Sequence, residues 1–145
     1  MSTTPSTPVV VEQKFSASLQ RLWRAITEKE ELPRWFFENI PDFEAIVGFT
    51  TEFEVKSEER TFTHQWKIME VIPEKKISYQ WKYKEYEGES LVVFEIEEMT
   101  EGSLLRVSNF GLENFPQNIP EFHRSSCHAG WTYFISERLG NYLKV

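Results

Sequence analysis

Residues 127–145 read CHAGWTYFISERLGNYLKV, and the fold turns on whether this stretch is a helix that closes a core. Counting about 100° per residue from Trp131, the side chains of Arg124, Cys127, Trp131, Ile135, Arg138 and Tyr142 fall within about 40° of one direction, which predicts an amphipathic helix. His128 and Leu139 flank this stripe on one edge and Phe134 on the other, while Tyr133, Ser136, Glu137 and Gly140 take the opposite face. Asn118 is available as a cap, and Pro120 falls near the first turn, where its missing amide does no harm. A stripe of rings that also carries arginine, cysteine and histidine either plugs a core or lines a space in which polar groups act.

The surface such a helix would cover is written upstream. Residues 77–83, ISYQWKY, alternate strictly, with Ile77, Tyr79, Trp81 and Tyr83 facing one way and Ser78, Gln80 and Lys82 the other, which predicts a strand with one buried face. TFTHQWKIMEVI (61–72) puts Phe62, His64, Trp66 and Ile68 on one face and then changes phase through Met69, Val71 and Ile72. A bulge near Met69 and Glu70 accounts for the switch. FTTEFEV (49–55), LVVFEIEEM (91–99) and LLRVSNF (104–110) complete the run of strands, with PEKK, YEGES and TEGS read as turns. Connections this short favour antiparallel hairpins over crossovers.

Ahead of them VVVEQKF (9–15) predicts a first strand, and SASLQRLWRAIT places Leu19, Leu22, Trp23 and Ile26 at helical spacing with Ser16 or Ser18 as cap. TEKE (27–30) reads as a capping box in which the Thr27 hydroxyl accepts from the Glu30 amide. It would open a second helix with Leu32, Trp35 and Phe36 on one side and Pro33 placed to split it. The expectation is an α+β fold: a curved antiparallel six-stranded sheet wrapped around a long C-terminal helix, with two short helices after the first strand. Residues 9–145 form this single domain after a Ser-, Thr- and Pro-rich lead-in over 1–8, expected to be disordered.

A chain of 145 residues is large enough for one substantial core, and its composition says what fills it. Aromatics make up 15% of the chain, so rings dominate both the core and the wall of any cavity. Interiors pack densely, and so many rings facing one another favour a small pocket over a wide lipid tunnel. The formal net charge of −7 argues against nucleic acid and against an anionic membrane surface as partners. No segment approaches the roughly 20 apolar residues of a membrane span. The lone cysteine, Cys127, permits no intramolecular disulfide and the N-terminus lacks a secretory pattern, so a soluble cytoplasmic protein is expected.

The order strand, two helices, five strands and a long terminal helix is similar to the helix-grip fold of the START/SRPBCC superfamily. Within it, LWRAITEKEELPRWF (22–36), GFTTEFEV (48–55), WKIMEVIPEKKISYQW (66–81), EGSLLRVSNFGL (101–112) and GWTYFISERLGNYL (130–143) resemble domains related to the activator of the heat-shock chaperone ATPase. The resemblance spans nearly all of residues 9–145 and lies in order and spacing rather than in one motif. The chain departs from it at Val47-Gly48, where members often have paired glycines, near Trp66 and Lys67, where a glycine is absent, and at Asn109, where many have histidine. The resemblance implies a cavity between sheet and helix that holds an apolar or amphipathic small molecule. It also implies a heat-shock chaperone as a second kind of partner.

For catalysis the residues offer little. Cys127 and His128 are adjacent and diverge by about 100° on a helix, so they do not meet. His123 and Cys127, four apart, would give an ion two ligands where zinc takes three or four. No catalytic residues, metal or cofactor are expected. The candidate site is instead a binding surface, with Trp35, Phe36, Trp66 and Tyr79 on one part of the inward faces. Trp81, Phe94, Trp131 and Ile135 continue it; these rings and chains either wall a cavity or fill it. His64, Asn109, Arg124 and His128 would supply its few polar contacts. His64 also reads as a core histidine with a satisfied hydrogen bond. Arg124 either meets an anion at the mouth or snorkels to solvent, as Arg138 is expected to do. Three functions stay open: a module that binds a small hydrophobic or amphipathic ligand, a regulator of a heat-shock chaperone, and a cyclase- or hydrolase-type enzyme resting on His64 with Glu44 or Glu95.

Overall fold

A computed structural model describes residues 7–143; residues 1–6 of the expected lead-in and the last two residues of the 9–145 domain lie outside the described residues. Six strands form one antiparallel sheet: β1 (Val9–Phe15), β2 (Thr50–Ser57), β3 (Arg60–Ile72), β4 (Lys76–Tyr83), β5 (Tyr86–Met99) and β6 (Gly102–Phe110). Their order across the sheet is β1-β6-β5-β4-β3-β2. Strands β2 to β6 follow one another as hairpins, and β1 returns to pair with β6 from Val9↔Asn109 to Phe15↔Ser103. Two helices, α1 (Leu19–Thr27) and α2 (Leu32–Trp35), fill the connection from β1 to β2. A long rod beginning with α3 (Arg124–Trp131) closes the concave face. This is the α+β architecture that the alternation and the terminal stripe predict, and the helix-grip arrangement that the resemblance implies.

The phase change in β3 is a register shift between Ile68 and Glu70, at the position the sequence marks. A second irregularity lies between Trp81 and Tyr83 in the pairing of β4 with β5. Bulges bend a strand and raise its twist, so these two help to curve the sheet. On the concave side Ile77 and Tyr79 of β4, Phe94 of β5 and Leu105 of β6 are fully buried, and they meet Leu22 and Ile26 of α1 with Ile135 and Leu139 of the rod. Each fully buried large side chain of this kind is worth about 1.5–3 kcal/mol relative to exposure.

Local chemistry differs from the expected pattern at four places. Thr27 ends α1 instead of opening the next helix: its hydroxyl donates to the carbonyl of Trp23 at 2.6 Å, a bond back along its own helix that is incompatible with a capping box. The second helix begins at Leu32 with Pro33 inside its first turn, so the proline starts this helix rather than splitting it. YEGES is strand, and the turn is Lys84 and Glu85, because the Tyr86 ring packs on Phe62 and Phe122 at 5.3 and 5.2 Å. Gly88 permits this arrangement, since a Cβ there would stand 2.3 Å from the carbonyl oxygen of Asn114. Asn118 caps nothing helical: Pro120 opens a separate 3₁₀ turn (Pro120–Phe122), and His123 is the extended residue before α3. Burial of Phe122 against Phe115, at 4.9 Å, ends the turn there.

The rod itself departs from α winding. After α3 it runs as a π-helix over Thr132–Leu139 and finishes in a last α turn, Gly140–Leu143. A π-helix bonds each amide one residue further back and so holds more residues per turn. The buried face therefore advances along the sequence: Trp131 and Ile135 are buried as counted, but Leu139 and Gly140 follow, where regular α winding puts Arg138. Arg138 is half-buried and donates to the carbonyl of Arg34 at 3.1 Å. The Tyr142 hydroxyl donates to Glu31 at 3.0 Å, and Glu31 also accepts from Arg21 at 2.6 Å, which ties the end of the rod to α1 and α2.

Candidate functional site

Among the described residues, the buried apolar side chains fall into two clusters. The larger joins the sheet to α1, α2 and the rod, and the smaller gathers Val9, Phe62, Leu112, Phe115 and Phe122 at one end of the sheet. A cavity of about 360 Å³ lies at the seam between them. Phe36, Trp81 and Trp131 wall it from the larger cluster, and Phe62, Phe115 and Phe122 from the smaller. Phe37, Val55, Cys127 and Phe134 also line it and are half-buried, which places the mouth between the end of β2, the exit of α2 and the rod.

The rings of the wall support one another. Phe36 stacks on Trp35 at 4.8 Å and lies 5.8 Å from Trp131, and Trp131 meets Trp81 and Phe94 edge-on, each at 5.7 Å. Trp35 is held in turn by its indole N–H, which donates to the carbonyl of Ala25 at 2.8 Å. That carbonyl belongs to the last turn of α1, where backbone acceptors lack helical partners. Gly130 is the gap in the wall. It lines the cavity from within α3, and a Cβ built on it would meet nothing within 4 Å. A glycine inside a helix costs about 1 kcal/mol relative to alanine, and here no close packing compels it.

Few polar groups reach the cavity. His64 is 5% exposed among Phe37, Phe53, Trp81 and Tyr83, and burial holds its pKa down to about 4, against the opposing pull of the Phe62 carbonyl and the Glu85 charge. The ring is therefore neutral at pH 7. Its Nδ1 lies 3.0 Å from the carbonyl oxygen of Phe62, which only accepts, so Nδ1 carries the proton and Nε2 is a bare acceptor. Tyr83 accepts from the Trp81 indole at 2.8 Å and keeps its own phenolic proton, burial having raised its pKa. Asn109 donates to Cys127 Sγ at 3.2 Å, while its Oδ1 is closed off from the cavity and has no partner among the described residues. Burial pushes the Cys127 thiol up to about 11. Glu121 stands at the rim; burial raises its pKa, but its own backbone amide, the Ser57 hydroxyl at 2.9 Å and Arg60 outweigh that and leave it below the usual carboxylate range.

Of the residues singled out from sequence, Phe36, His64, Trp81, Asn109 and Trp131 come together on the cavity wall. Trp35, Trp66, Tyr79, Phe94 and Ile135 are buried on the same inward faces but deeper, packed against the wall rather than forming it. Arg124 and His128 are exposed and do not line the cavity. The Arg124 guanidinium donates to the carbonyls of Thr7 and Pro8 and so holds the chain just before β1. Phe62 and Tyr83 share the inward alternation of His64 and Trp81 and were findable from it. Phe115 and Phe122 lie in a stretch without periodicity, and the only sequence signal for them is two aromatics among prolines. Glu95 sits on the opposite sheet face from Phe94, and Glu44 is exposed in the loop before β2, so neither adjoins His64. Among the described residues no three His, Cys, Asp or Glu side chains gather as a metal site needs. No helix among them is long and apolar enough to cross a membrane.

Residues 16–144 match the sequence model of the family described as activator of Hsp90 ATPase homolog 1-like protein. No curated protein matches the chain. Among solved structures, protein CV1439 from Chromobacterium violaceum superposes with a TM-score of 0.79 at 17% identity, covering 96% of this chain and 98% of that one. Protein MLL2253 from Mesorhizobium loti gives 0.73 at 26% identity, with 94% and 96% covered. The Aha1 dimer from Colwellia psychrerythraea, a solution structure, gives 0.73 at 19% identity, with 97% and 98% covered.

Proposed function

Because the chain belongs to the family of activator of Hsp90 ATPase homolog 1-like proteins, we propose that it is a binding module that takes a small hydrophobic or amphipathic molecule between its sheet and its terminal rod. The observation that carries this reading is the cavity at the seam of the two clusters. About 360 Å³ is within the usual range of small-molecule pockets, roughly 300–1,000 Å³, and apolar walls with a few fixed polar groups are the usual lining. A missing side chain at Gly130 and the free ring nitrogen of His64 both suit a space meant for a guest. The ligand site proposed is Phe36, His64, Trp81, Asn109 and Trp131, backed by Trp35, Trp66, Tyr79, Phe94 and Ile135. Thermal denaturation against a library of apolar and amphipathic compounds tests it. A ligand at a hundredfold excess over its Kd adds about 2.7 kcal/mol, a shift of several degrees. Gly130→Phe, which puts a ring where the wall has none, and Trp131→Ala should both remove the shift. A full library without any stabilising compound would overturn the proposal.

A second reading, regulation of a heat-shock chaperone, rests on the family description and on Ile46 and Val47, which are 57% and 62% exposed in the loop before β2. Chaperone ATPase turnover with and without the protein tests it, and unchanged turnover removes it.

A further inference from the structure

We infer that the ligand of this cavity is a neutral molecule with an aromatic or polycyclic body and a hydroxyl, phenolic or alcoholic, seated at His64 and Tyr83, and that carboxylates and other anions are excluded. This rests on the cavity being a ligand site and specifies what it takes. The body follows from the walls, which are rings on nearly every side and favour flat partners by offset and edge-on stacking. The hydroxyl follows from the polar groups. Nε2 of His64 has no protein partner among the described residues and offers only a lone pair, because Nδ1 is committed as donor to Phe62. Asn109 Oδ1 is closed off from the cavity and takes no part. Tyr83 retains a phenolic proton after accepting from Trp81. A hydroxyl group donates once and accepts, and so answers the one bare acceptor, His64 Nε2, and the free Tyr83 donor together, whereas an ether or ketone leaves the acceptor unmet.

The exclusion of anions is electrostatic. No free cation lines the cavity among the described residues. Burial keeps His64 uncharged near neutral pH. Arg60 is engaged by Glu121, whose carboxylate is itself on the rim, and Arg124 points to the start of β1. An ionised headgroup brought into such a space loses its hydration and meets no opposite charge.

Three naphthalenes of one size test this: 2-naphthol, 2-methylnaphthalene and 2-naphthoate, titrated at pH 7 and followed by protein NMR. The expected order has 2-naphthol binding at least as tightly as 2-methylnaphthalene, despite the stronger hydration of its hydroxyl, and about tenfold or more tighter than 2-naphthoate. His64→Phe should weaken 2-naphthol about tenfold and change 2-methylnaphthalene less than about threefold, the difference being one lost hydrogen bond. The imidazole ¹⁵N signals of the wild type give a readout that needs no variant: Nε2 should be unprotonated and should move with 2-naphthol but not with 2-methylnaphthalene. If 2-naphthoate binds best, or if 2-naphthol leaves Nε2 unmoved while binding, the hydroxyl assignment fails and the cavity stands as an apolar site. If none of the three binds, the binding-module reading itself fails.

Discussion

Lowering the pH from 7 to 5 should cost the fold about 2 kcal/mol through His64 alone. In the unfolded chain this imidazole titrates near 6.5; folded, it titrates at about 4, because burial among rings disfavours the charged form. A folded-state value below the unfolded one means that the unfolded chain takes up the proton first, so stability is full above pH 6.5 and drains away as pH falls toward 4. The whole gap is worth about 3 kcal/mol, most of it already lost at pH 5. Glu85 and Glu121 are held below the usual carboxylate range and contribute at lower pH, outside this window. Urea unfolding at pH 7 and pH 5 reads the effect. With a slope of roughly 2 kcal/mol per molar urea, the midpoint should drop by about 1 M in the wild type and far less in His64→Phe. A wild type whose midpoint holds between pH 7 and 5, or a variant that falls in parallel with it, would refute the assignment of a buried, neutral His64.

Three further outcomes follow from the same geometry. Cys127 should alkylate slowly in the native protein, since at pH 8 only about one thiol in a thousand is ionised at a pKa near 11; the iodoacetamide rate should rise about tenfold per pH unit up to pH 10, and a rate like that of the denatured chain at pH 8 would contradict it. Gly130→Ala should stabilise the protein by about 0.5–1 kcal/mol by helix propensity, because the added methyl meets no atom; a lowered melting temperature would show that the site is not open. Trp35→Phe should cost about 1–3 kcal/mol by chemical denaturation, through the lost indole bond to Ala25 and the buried carbonyl left behind. An unchanged midpoint would mean that the carbonyl finds another donor.

Period-two alternation made the sheet legible, and nowhere more than in Lys76–Tyr83, where one face is rings and the other is polar. The bulge in β3 was legible for the same reason, since a phase change in alternation has few other causes. What alternation gives is a face and not a depth. Trp66 and Trp81 are paired partners on the same inward face, yet only Trp81 reaches the cavity. The terminal helix was legible as a stripe, and Leu139 at its edge as a core residue, but its winding was not, because the hydrophobic count assumes α geometry and the π segment brings Leu139 to the middle of the buried face. The far wall was the least legible part. Residues 111–123 fold through two 3₁₀ turns with no period to read, and it is there that Phe115 and Phe122 complete the pocket. Arg124 looked like a pocket residue from its place on the stripe; backbone carbonyls at the start of β1 claim it instead, a tertiary contact that no local pattern announces.

The five tryptophans make the central claim directly measurable, because each contributes one indole N–H signal to an ¹H–¹⁵N spectrum. Titration with 2-naphthol should move the signals of Trp81 and Trp131, which line the cavity, to saturation, while Trp23 and Trp35, which do not, stay in place. Shifts at Trp23 and Trp35 without shifts at Trp81 and Trp131, or no shifts at all, would contradict a ligand seated between the sheet and the rod.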